Sequence, residues 1–512
     1  RGNVLARTDN LGNTTTYTYE SNYLASATDP RGGVYAYEYD SKGNLLSDTD
    51  PNGNSRTFSY DSKGNLVSAS DRIGNVTKFE YDQSGRKTAE IDAMGHRTEY
   101  TYDSLGNRTS STRQRTDSAG VVHALTSQSQ YDAEGRPTLV RDVMGNVSTF
   151  TYRADGLVEK ATDIRGVTAN YAYDARGNVT RTDYSDGSFE TSEYDANGNL
   201  LVQRRRDGTV TTNSYDDANR QKVVVDQFGS TTSFGYDKAG RQVSIDSAGT
   251  TATLKHDSGQ VFSLSPLGNS AVADRPRISQ VDLEDGEYIV DLQYDANGNI
   301  TNVTSSDGKE LTTTFSGTNV PTSFVSGVDT SSAVALDPNG QPAGNTDPNG
   351  VKYVYAKDAA GRIIVVTDPF GNQTKFTYDE VGNKLSQTDA EGRTTHWHYD
   401  DAGHTTKRIL PGGQSESFEY NSVGDLLAHV NFNGQRTEYL YDLQGRVTKK
   451  SSASDGRVFE FSYENAGRLT SVIDARGATS FAYDAFGRVL RIDNPDGTFI
   501  SYGYDNRGNR IS

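Results

Sequence analysis

The sequence has no cysteine and few hydrophobic residues, and these absences narrow the class of protein. Without cysteine there is no disulfide framework and no thiol chemistry, which fits exposure to oxidising surroundings. Only 33% of the 512 residues are hydrophobic, and no apolar run is long enough to span a membrane. A net charge of −17 disfavours binding to the phosphate backbone of a nucleic acid. We therefore expect neither a membrane span nor a nucleic-acid partner.

Low hydrophobicity with net charge is typical of disordered chains, but the aromatic content argues against disorder here. The chain contains 31 Tyr and 18 Phe, and each aromatic ring can bury a large area. It also contains 51 Gly and only 12 Pro, which is typical of a chain with many tight turns. We therefore expect a folded protein.

An internal repeat dominates the sequence. The string YDSKGNL occurs at residue 39 and again at residue 60, and a Tyr-Asp pair follows at residue 81. Self-similarity at a fixed spacing, here 21 residues, indicates a repeat protein in which every unit has the same local structure. The repeat tyrosines are Tyr39, Tyr60, Tyr81, Tyr102, Tyr131, Tyr152, Tyr173, Tyr194, Tyr215, Tyr236, Tyr294, Tyr378, Tyr399, Tyr420, Tyr441, Tyr463, Tyr483 and Tyr504.

Each unit contains two turn signals separated by strand-like residues. Asp40 begins the first signal, DSKGN, and Asp50 begins the second, DPNGN. Asp can accept a hydrogen bond from the backbone two residues on, and Gly tolerates a positive φ. About six residues rich in Thr, Val, Phe and Tyr lie between the turns, which favours strands. The unit is therefore predicted to be a β-hairpin.

Aromatic residues alternate with polar ones before the first turn of each unit. Phe58 and Tyr60 flank Ser59, and residues i and i+2 lie on the same face of a strand. The two rings are therefore predicted to stack with their equivalents in neighbouring units on one face. Truncating Tyr60 to alanine would cost roughly 3–5 kcal/mol if the ring is fully buried.

The number of units sets the architecture. About 24 units supply about 48 strands, more than a twisted open sheet normally holds. Such a ribbon must wind into a spiral or a closed shell, which also hides its edges. The predicted fold class is all-β, with repetitive antiparallel β-hairpins of about 21 residues wound into a spiral hollow β-shell.

The units at residues 39–60 and 60–81, with Tyr-Asp-x-x-Gly-Asn/Arg and a downstream Asp-x-x-Gly-Asn, resemble the RHS/YD-repeat family. That family includes bacterial Rhs polymorphic toxins, the C component of ABC toxin complexes, wall-associated proteins and the teneurins. The resemblance covers nearly the whole chain and implies a hollow β-shell built from hairpins. In the toxin members such a shell encloses a C-terminal toxin, and in the teneurins it is part of a cell-surface adhesion protein.

The chain departs from the toxin members in one motif. Those members usually end the shell with Asp-Pro-x-Gly-Leu, which is tied to self-cleavage, whereas here Leu never follows Asp-Pro-x-Gly. We interpret every such segment as a turn and expect any passenger or cleavage machinery to lie outside this chain. Because the sequence opens and stops in mid-unit, we expect a piece of a longer protein. The segments begin at Asp29, Asp50, Asp337, Asp347 and Asp368.

The whole chain is predicted to be one repeat array with two irregular stretches. The excess residues in 103–130 indicate either a lengthened hairpin loop or a contact loop for a partner. Counting by 21 from Tyr294 reaches Phe315, Leu336 and Lys357, so the degenerate repeats there are still expected to form sheet. The predicted segments of the array 1–512 are 1–102 (regular), 103–130 (insertion), 131–236 (regular), 237–357 (degenerate) and 358–512 (regular).

Two groups of residues resemble metal sites but lack the pattern that a metal site requires. His396 and His398 share a strand face and His404 follows the next turn, but Trp397 takes the aromatic position, so the histidines are expected to be polar-face variants. The DANGN segments after Tyr194 and Tyr294 lack the Gly and Glu of a calcium loop. The sequence therefore predicts no catalytic, cofactor-binding or metal-binding residue, no cofactor and no enzyme.

Two functions are compatible with the sequence. The first is an encapsulating scaffold from a large secreted or delivered polymorphic toxin, whose partners are its own C-terminal passenger and the remaining shell segments. The second is an extracellular adhesion or fibre-forming surface protein that binds glycans or partner proteins. Secretion-system components are further candidate partners. Both hypotheses place the protein outside the cell, secreted or at the cell surface.

Overall fold

The protein is known from a computed structural model. It describes residues 2–9, 12–238, 240–247, 250–260, 276–283, 289–326, 330–347, 349–465, 467–484, 486–505 and 509–512. The chain forms two compact units. Unit 1 comprises Arg1–Glu99, Gly235–Phe376 and Thr388–Gly392, and unit 2 comprises Tyr100–Phe234, Thr377–Gln387 and Arg393–Ser512.

The described residues form 46 strands and contain no helix, so none of them belongs to a helix able to cross a membrane. The first half holds β1 Ala6–Thr8, β2 Thr14–Glu20, β3 Tyr23–Thr28, β4 Val34–Tyr39, β5 Leu45–Thr49, β6 Ser55–Tyr60, β7 Leu66–Ser70, β8 Val76–Tyr81, β9 Lys87–Ile91, β10 Arg97–Tyr102, β11 Arg108–Thr116, β12 Val122–Tyr131, β13 Pro137–Arg141, β14 Val147–Tyr152, β15 Val158–Thr162, β16 Thr168–Tyr173, β17 Val179–Tyr184, β18 Phe189–Tyr194, β19 Leu200–Arg204, β20 Val210–Tyr215, β21 Gln221–Val225, β22 Thr231–Tyr236 and β23 Gln242–Ser247. The second half holds β24 Thr250–Gln260, β25 Pro276–Leu283, β26 Ile289–Tyr294, β27 Ile300–Ser305, β28 Glu310–Phe315, β29 Pro321–Ser326, β30 Thr330–Leu336, β31 Pro342–Thr346, β32 Lys352–Lys357, β33 Ile363–Thr367, β34 Gln373–Tyr378, β35 Lys384–Thr388, β36 Thr394–Tyr399, β37 Thr405–Ile409, β38 Ser415–Tyr420, β39 Leu426–Val430, β40 Arg436–Tyr441, β41 Val447–Ser452, β42 Val458–Tyr463, β43 Leu469–Asp474, β44 Gly477–Tyr483, β45 Val489–Asp493 and β46 Phe499–Ser501.

Consecutive strands pair antiparallel along the chain. β6 pairs with β7, β7 with β8 and β8 with β9, and the same order holds through the other ladders. The predicted class, all-β with repetitive antiparallel hairpins, is confirmed. The strand number is also close to the expected one.

The turns have one recurring design, seen at Asp40. The Gly43 amide donates to the Asp40 carbonyl at 3.0 Å, and Gly43 has a φ of 88°. This is a type I turn closed by a left-handed glycine, a common hairpin loop. The Asp40 carboxylate accepts bonds from the amides of Lys42 (2.8 Å) and Asn44 (2.9 Å), which fixes the loop from within. The repeated Asp and Gly are therefore explained by local turn chemistry.

A β-bulge accompanies most of the repeat tyrosines in the described ladders. Glu38 lies opposite Ser47, but Tyr39 lies opposite Leu45, so Leu46 is an extra residue in the second strand. The same register shift occurs at Tyr60 and at the equivalent tyrosines of other ladders. A bulge increases the local twist, so the units that contain one bend the sheet in the same way.

The predicted assignment of strand faces is right, but the condition of full burial attached to the truncation cost is not met. In β6, Phe58 and Tyr60 are half-buried while Ser59 is exposed. The centre of the Phe58 ring lies 5.7 Å from the guanidinium of Arg56, so the ring contacts a cation as well as the sheet. Truncation of half-buried Tyr60 should therefore cost less than a full-burial value. The buried apolar residues among those described are few: Ala27, Tyr37, Ala89, Leu125, Val167, Ala169 and Ala428.

The repeat tyrosines instead join neighbouring hairpins through their hydroxyls. Tyr441 donates to the carbonyl of Leu426 at 2.9 Å, 15 residues earlier, and Tyr173 donates to Val158 at 2.7 Å. Each bond ends on the adjacent strand, at or next to the residue that follows the preceding Tyr-Asp turn. The other tyrosines that donate in this way are Tyr19, Tyr81, Tyr131, Tyr152, Tyr194, Tyr215, Tyr399, Tyr463, Tyr483 and Tyr504.

The Tyr441→Phe substitution is expected to lower the free energy of unfolding by about 1 kcal/mol, because it leaves the Leu426 carbonyl without this donor. Thermal or urea denaturation measures the effect. Tyr439→Phe is the control, because the Tyr439 hydroxyl makes no bond among the described residues. Equal stability of the two variants would contradict a stapling role for the hydroxyl.

The irregular stretches keep the repeat. Phe315, Leu336 and Lys357 end β28, β30 and β32 as a repeat tyrosine would, so the expectation of continued sheet is right. Residues 261–275 and 284–288 of the degenerate stretch lie outside the described residues. The insertion lengthens the two strands of the β11–β12 hairpin, whereas a lengthened loop was one of the two predicted interpretations. All five Asp-Pro-x-Gly segments are turns, closed by a bond from the Gly amide to the Asp carbonyl.

Candidate functional site

Two kinds of turn lie at opposite ends of the strands. We call the turns that follow a repeat tyrosine, or its replacement, YD-edge turns, and the others second-edge turns. In unit 1 the second-edge turns of residues 29–75 contact the YD-edge turns of residues 295–341, a contact we call the unit 1 seam. In unit 2 the second-edge turns of residues 117–230 contact the YD-edge turns of residues 379–488, the unit 2 seam.

The two rows of the unit 1 seam are in register. The Asn297 side-chain amide donates to the Asp29 carboxylate at 2.9 Å, and Asn339 donates to Asp71 at 2.8 Å. Both bonds join residues 268 positions apart. The third residue of a YD-edge turn is therefore paired with the first residue of a second-edge turn, at the same offset in different repeats.

An arginine strengthens the first of these contacts. Arg31 donates to the Ser316 carbonyl at 3.0 Å and to the Asn319 side-chain oxygen at 2.7 Å. The same oxygen accepts bonds from the amides of Asn297 (3.0 Å) and Asn299 (2.9 Å). Asn297, Asn299 and Asn319 thus form a compact amide cluster that receives the turn of residues 29–33.

Buried carboxylates line the same seam. The Arg72 guanidinium lies 2.7 Å from Asp48 and 3.1 Å from Asp50, whose side chain is 1% exposed. Burial would raise the pKa of Asp71, but hydrogen bonds from Asn75, Asn339 and the Ile73 amide hold it below its usual value. The Asn339 amide of the facing turn is therefore one of the donors that favour the ionised form of Asp71.

A polar cavity of about 480 Å³ lies beside the unit 1 seam. Thr15, Tyr35, Asp29 and Asp50 contribute to its wall. Burial raises the pKa of the Tyr35 phenol, and the nearby Asp29 carboxylate acts in the same direction. Thr15 is 1% exposed and its hydroxyl has no hydrogen-bond partner among the described residues.

The unit 2 seam rests on a bidentate ion pair. Both terminal nitrogens of Arg165 lie 2.6 Å from the Asp425 carboxylate, which is 9% exposed. The Arg165 guanidinium holds the pKa of Asp425 below its usual value. The Asn146 amide donates to the Ser422 carbonyl at 2.6 Å in the neighbouring contact. The two parallel bonds between Arg165 and Asp425 fix the relative orientation of the two side chains and also stabilise the contact.

Further along, the same seam combines a charged and an apolar contact. Asp186 accepts hydrogen bonds from Arg206 and, across the seam, from Gln444. Burial would raise the pKa of Asp186, but bonds from Ser188 and Arg206 lower it to about 2. The rings of Phe228 and Phe486 meet across the seam with centroids 5.7 Å apart.

The lengthened hairpin also belongs to the unit 2 seam. Buried Arg115 lies 2.5 Å from Asp401, and the Thr116 amide donates to Glu380 at 2.9 Å. The Ser118 hydroxyl is 2.6 Å from the His398 ring. These contacts lie within unit 2, so a contact loop for a separate partner stays a prediction.

His123 lies between two carboxylates near the tip of this hairpin. Its ring nitrogens lie 3.0 Å from Asp117 and 3.1 Å from Asp401. The hydrogen bond to Asp117 and the charge of Asp401 raise the pKa of His123, while Arg115 opposes the shift. The protonated imidazole is therefore part of the docking contact.

The docking of the hairpin should depend on pH. Because the pKa of His123 is raised in the folded state, its contribution is fully present below about pH 6.5 and is lost as pH rises through the folded pKa. Amide hydrogen exchange at residues 117–121 is expected to be slower, relative to intrinsic rates, at pH 6 than at pH 8.5. His123→Gln should remove this difference; an unchanged pH dependence in that variant would contradict the assignment.

The three histidines of the HWHYDDAGH segment do not converge on one site. His396 is exposed, and burial lowers the pKa of His398, which contacts Ser118. The His404 ring bonds Asp400 at 2.9 Å and stacks on Tyr420 at 4.8 Å, where other units place Asn or Arg. Within the described part of the chain, no group of three or more His, Asp or Glu residues is arranged to hold a metal ion.

Sequence reasoning missed the roles of the third and fifth turn residues. The third residues, such as Asn297 and Asn339, make the seams, and nothing within one repeat signals that. The fifth residue is often Arg: Arg136 bonds Asp132 at 2.7 Å while its guanidinium lies 4.6 Å from the ring of Tyr152. The recurrence of Gly-Arg in place of Gly-Asn was the available signal for this cation–π contact.

Comparison with known families decides the identity of the repeat. The model described as RHS Repeat matches residues 1–34, 22–55, 39–72, 60–93, 81–122 and 215–252, and the model described as Teneurin YD-shell matches residues 282–489 and 417–512. The chain belongs to the RHS/YD-repeat family. Members of the RHS shell family are generally structural scaffolds, so this chain is a shell-like scaffold.

Solved structures of Tc toxins share the fold of this RHS/YD-repeat chain. A Tc holotoxin pore from Photorhabdus luminescens matches 97% of this chain and 34% of its own, at 13% identity and a TM-score of 0.57. The TcdB2-TccC3 crystal structure matches 93% and 33%, at 14% identity and 0.53; TcdB2-TccC3-Cdc42 matches 93% and 35%, at 13% and 0.53. The chain thus spans about a third of the length of these chains. No curated protein matches it.

Proposed function

We propose that the chain is a non-enzymatic wall segment of an encapsulating shell in a large secreted or delivered toxin, and that it sequesters a C-terminal passenger. The observation that carries the proposal is the seam. Rows of turns more than 250 residues apart are joined by in-register hydrogen bonds and buried ion pairs. A wall that must retain a polypeptide needs its successive rows joined without gaps, and these bonds meet that need.

The chemistry of the strands supports a wall more than a binding pocket. One face carries half-buried aromatic rings with cations beside them, and the other carries exposed Ser, Thr and Glu. Most of the polar groups described at the two seams take part in turns or in contacts across the seams. A passive container, without catalytic residues, is the function that this arrangement fits.

The partners follow from the same proposal. They are the passenger itself and further shell segments, since the chain spans a third of the related Tc chains. The related chains are components of Tc toxin assemblies, which supports an extracellular or delivered location. Secretion-system components are proposed as transient partners.

A second candidate, an extracellular adhesion protein, is favoured by one specific observation. The Teneurin YD-shell model matches residues 282–512 in two overlapping segments. In that case the exposed face would bind glycans or partner proteins, and Phe370, which is 89% exposed, is the first residue to test.

Small-angle X-ray scattering tests the container. A compact globule of this length has a radius of gyration of about 23–24 Å, and a wall around empty space must exceed it clearly. We expect a larger value with a hollow-particle distance distribution. A radius of gyration at or below the compact value would reject encapsulation by this chain. A hollow particle that binds glycans, and loses this binding when Phe370 is substituted, would favour adhesion.

A further inference from the structure

A second amide cluster in unit 2 repeats the one that receives a turn in unit 1. Asn197 donates to the Asn219 side-chain oxygen at 2.8 Å and Asn199 donates to it at 3.0 Å. These are the bonds that Asn297 and Asn299 make to Asn319. Asn219 and Asn319 also share a left-handed backbone, with φ of 59° and 62°.

The two clusters differ in what covers them. In unit 1 the turn of residues 29–33 covers the cluster, so that Asn297 and Asn319 are shielded. In unit 2 Asn197 and Asn219 are both exposed, and within the described chain no residue outside the two turns bonds to the cluster. The unit 2 cluster therefore has the geometry of a docking site without its occupant.

The chain also carries an unused turn of the matching kind. Three second-edge turns have Arg at the third position: Arg31, Arg165 and Arg476. Arg31 and Arg165 both reach across a seam. Arg476 is 81% exposed and, among the described residues, bonds only Asp474 of its own turn. The loop of residues 474–477 is one residue shorter than the loop of residues 29–33, and Arg476 extends from it into solvent.

The next turn along each row extends the match. In unit 1 the turn after residues 29–33 reads Asp-Pro-Asn-Gly and packs its Pro51 and Asn52 close to Gly317. The turn after residues 474–477 reads Asn-Pro-Asp-Gly, at residues 494–497. Two successive turns on the second edge therefore present the same residue types as the pair that docks in unit 1, apart from Ala in place of Pro in the first turn and with Asp and Asn exchanged in the second.

We propose that the cluster of Asn197, Asn199 and Asn219 on one copy of this chain binds the turn of residues 474–477 on a second copy. Asp474 accepts a hydrogen bond from Asn197, as Asp29 does from Asn297, and Arg476 donates to Asn219, as Arg31 does to Asn319. The occupant is a second copy because the unit 2 seam uses the inner edges of its two rows. The cluster and the turn lie on the two outer edges, on opposite sides of that seam.

This contact is head-to-tail. Each copy offers one cluster and one turn, so a bound pair still has a free site at each end and further copies can add. The net charge of −17 opposes random association, so the contact depends on the specific pairing. Because a guanidinium takes part, salt should weaken it.

Sedimentation velocity of the intact chain over a range of concentrations at low salt tests the proposal. We expect reversible dimers and larger species, and we expect Arg476→Ala to raise the dissociation constant by at least about tenfold. Arg176→Ala is the matched control, because Arg176 lies in the same Asp-Ala-Arg-Gly tetrapeptide on a YD-edge turn. Circular dichroism confirms that each variant is folded.

A residue exchange separates docking from a loss of folding. Asn197→Asp should abolish association by placing a carboxylate opposite Asp474, and adding Asp474→Asn should restore it, since the amide and the carboxylate have only changed sides. A chain that stays monomeric at every concentration overturns the proposal. So does association that Arg476→Ala leaves unchanged, or that the exchange does not restore.

Discussion

Replacing Arg165 with alanine is expected to lower the free energy of unfolding by about 3–5 kcal/mol, one of the two largest losses we expect from a single substitution. Asp425 is 9% exposed and would keep its charge while losing both bonds to the guanidinium. The remaining bond from Asn421, at 3.0 Å, is too little to offset the burial of that charge. Thermal denaturation followed by circular dichroism measures the loss.

Two further variants show whether the buried charge is the cause. Arg457→Ala breaks an ion pair of 2.7 Å with Asp455, but Arg457 is 71% exposed, so the expected loss is about 0–1 kcal/mol. Adding Asp425→Asn to Arg165→Ala should recover part of the lost stability, because it removes the unpaired charge. A loss no larger than that of the Arg457 variant would mean that the unit 2 seam does not depend on this pair.

Asp401→Asn is expected to release the lengthened β11–β12 hairpin and to cost about 2–4 kcal/mol. The Arg115 side chain is 4% exposed and would lose its carboxylate partner, and His123 would lose one of its two acceptors. Limited proteolysis should then cut at residues 117–121, which the intact contact protects. The melting temperature should fall together with this protection.

Asp183→Asn is the control for that experiment. Asp183 pairs with Arg181 at 2.6 Å in the same unit, but its side chain is 51% exposed. We expect little change in stability and no new cleavage. If Asp401→Asn behaved in the same way, the insertion would be a freely lengthened loop, and its contacts with the turns of residues 379–404 would not hold it.

What could be predicted from the sequence is what one repeat determines alone. Asp40 and Gly43 specify their turn through bonds within five residues, and the alternation of Phe58, Ser59 and Tyr60 specifies which face is shielded. These properties depend only on residues close together in the sequence, so every copy of the repeat specifies them. The fold class followed from them, and the family comparison agreed with it.

The seams could not be predicted, because they depend on pairing between repeats with nearly the same local sequence. Asn197 and Asn297 stand in the same DANGN segment, yet Asn297 bonds Asp29 while Asn197 is exposed. The degree of burial of Tyr60 could not be predicted for a related reason. Its environment depends on how much of the sheet lies under the ring, and a repeat pattern gives no information about that.

The constant offset of 268 residues across the unit 1 seam limits how the gene can change in length. A single deleted residue can be absorbed at a turn, as the shorter loop at residues 474–477 illustrates. Duplication or deletion of one whole 21-residue unit between residues 75 and 295 would preserve every strand face, yet it would move Asn297 and Asn339 away from Asp29 and Asp71 by one repeat. Indels of one unit in this region therefore preserve the hairpins but not the seam, so the seam depends on the length of the segment as well as on residue identity.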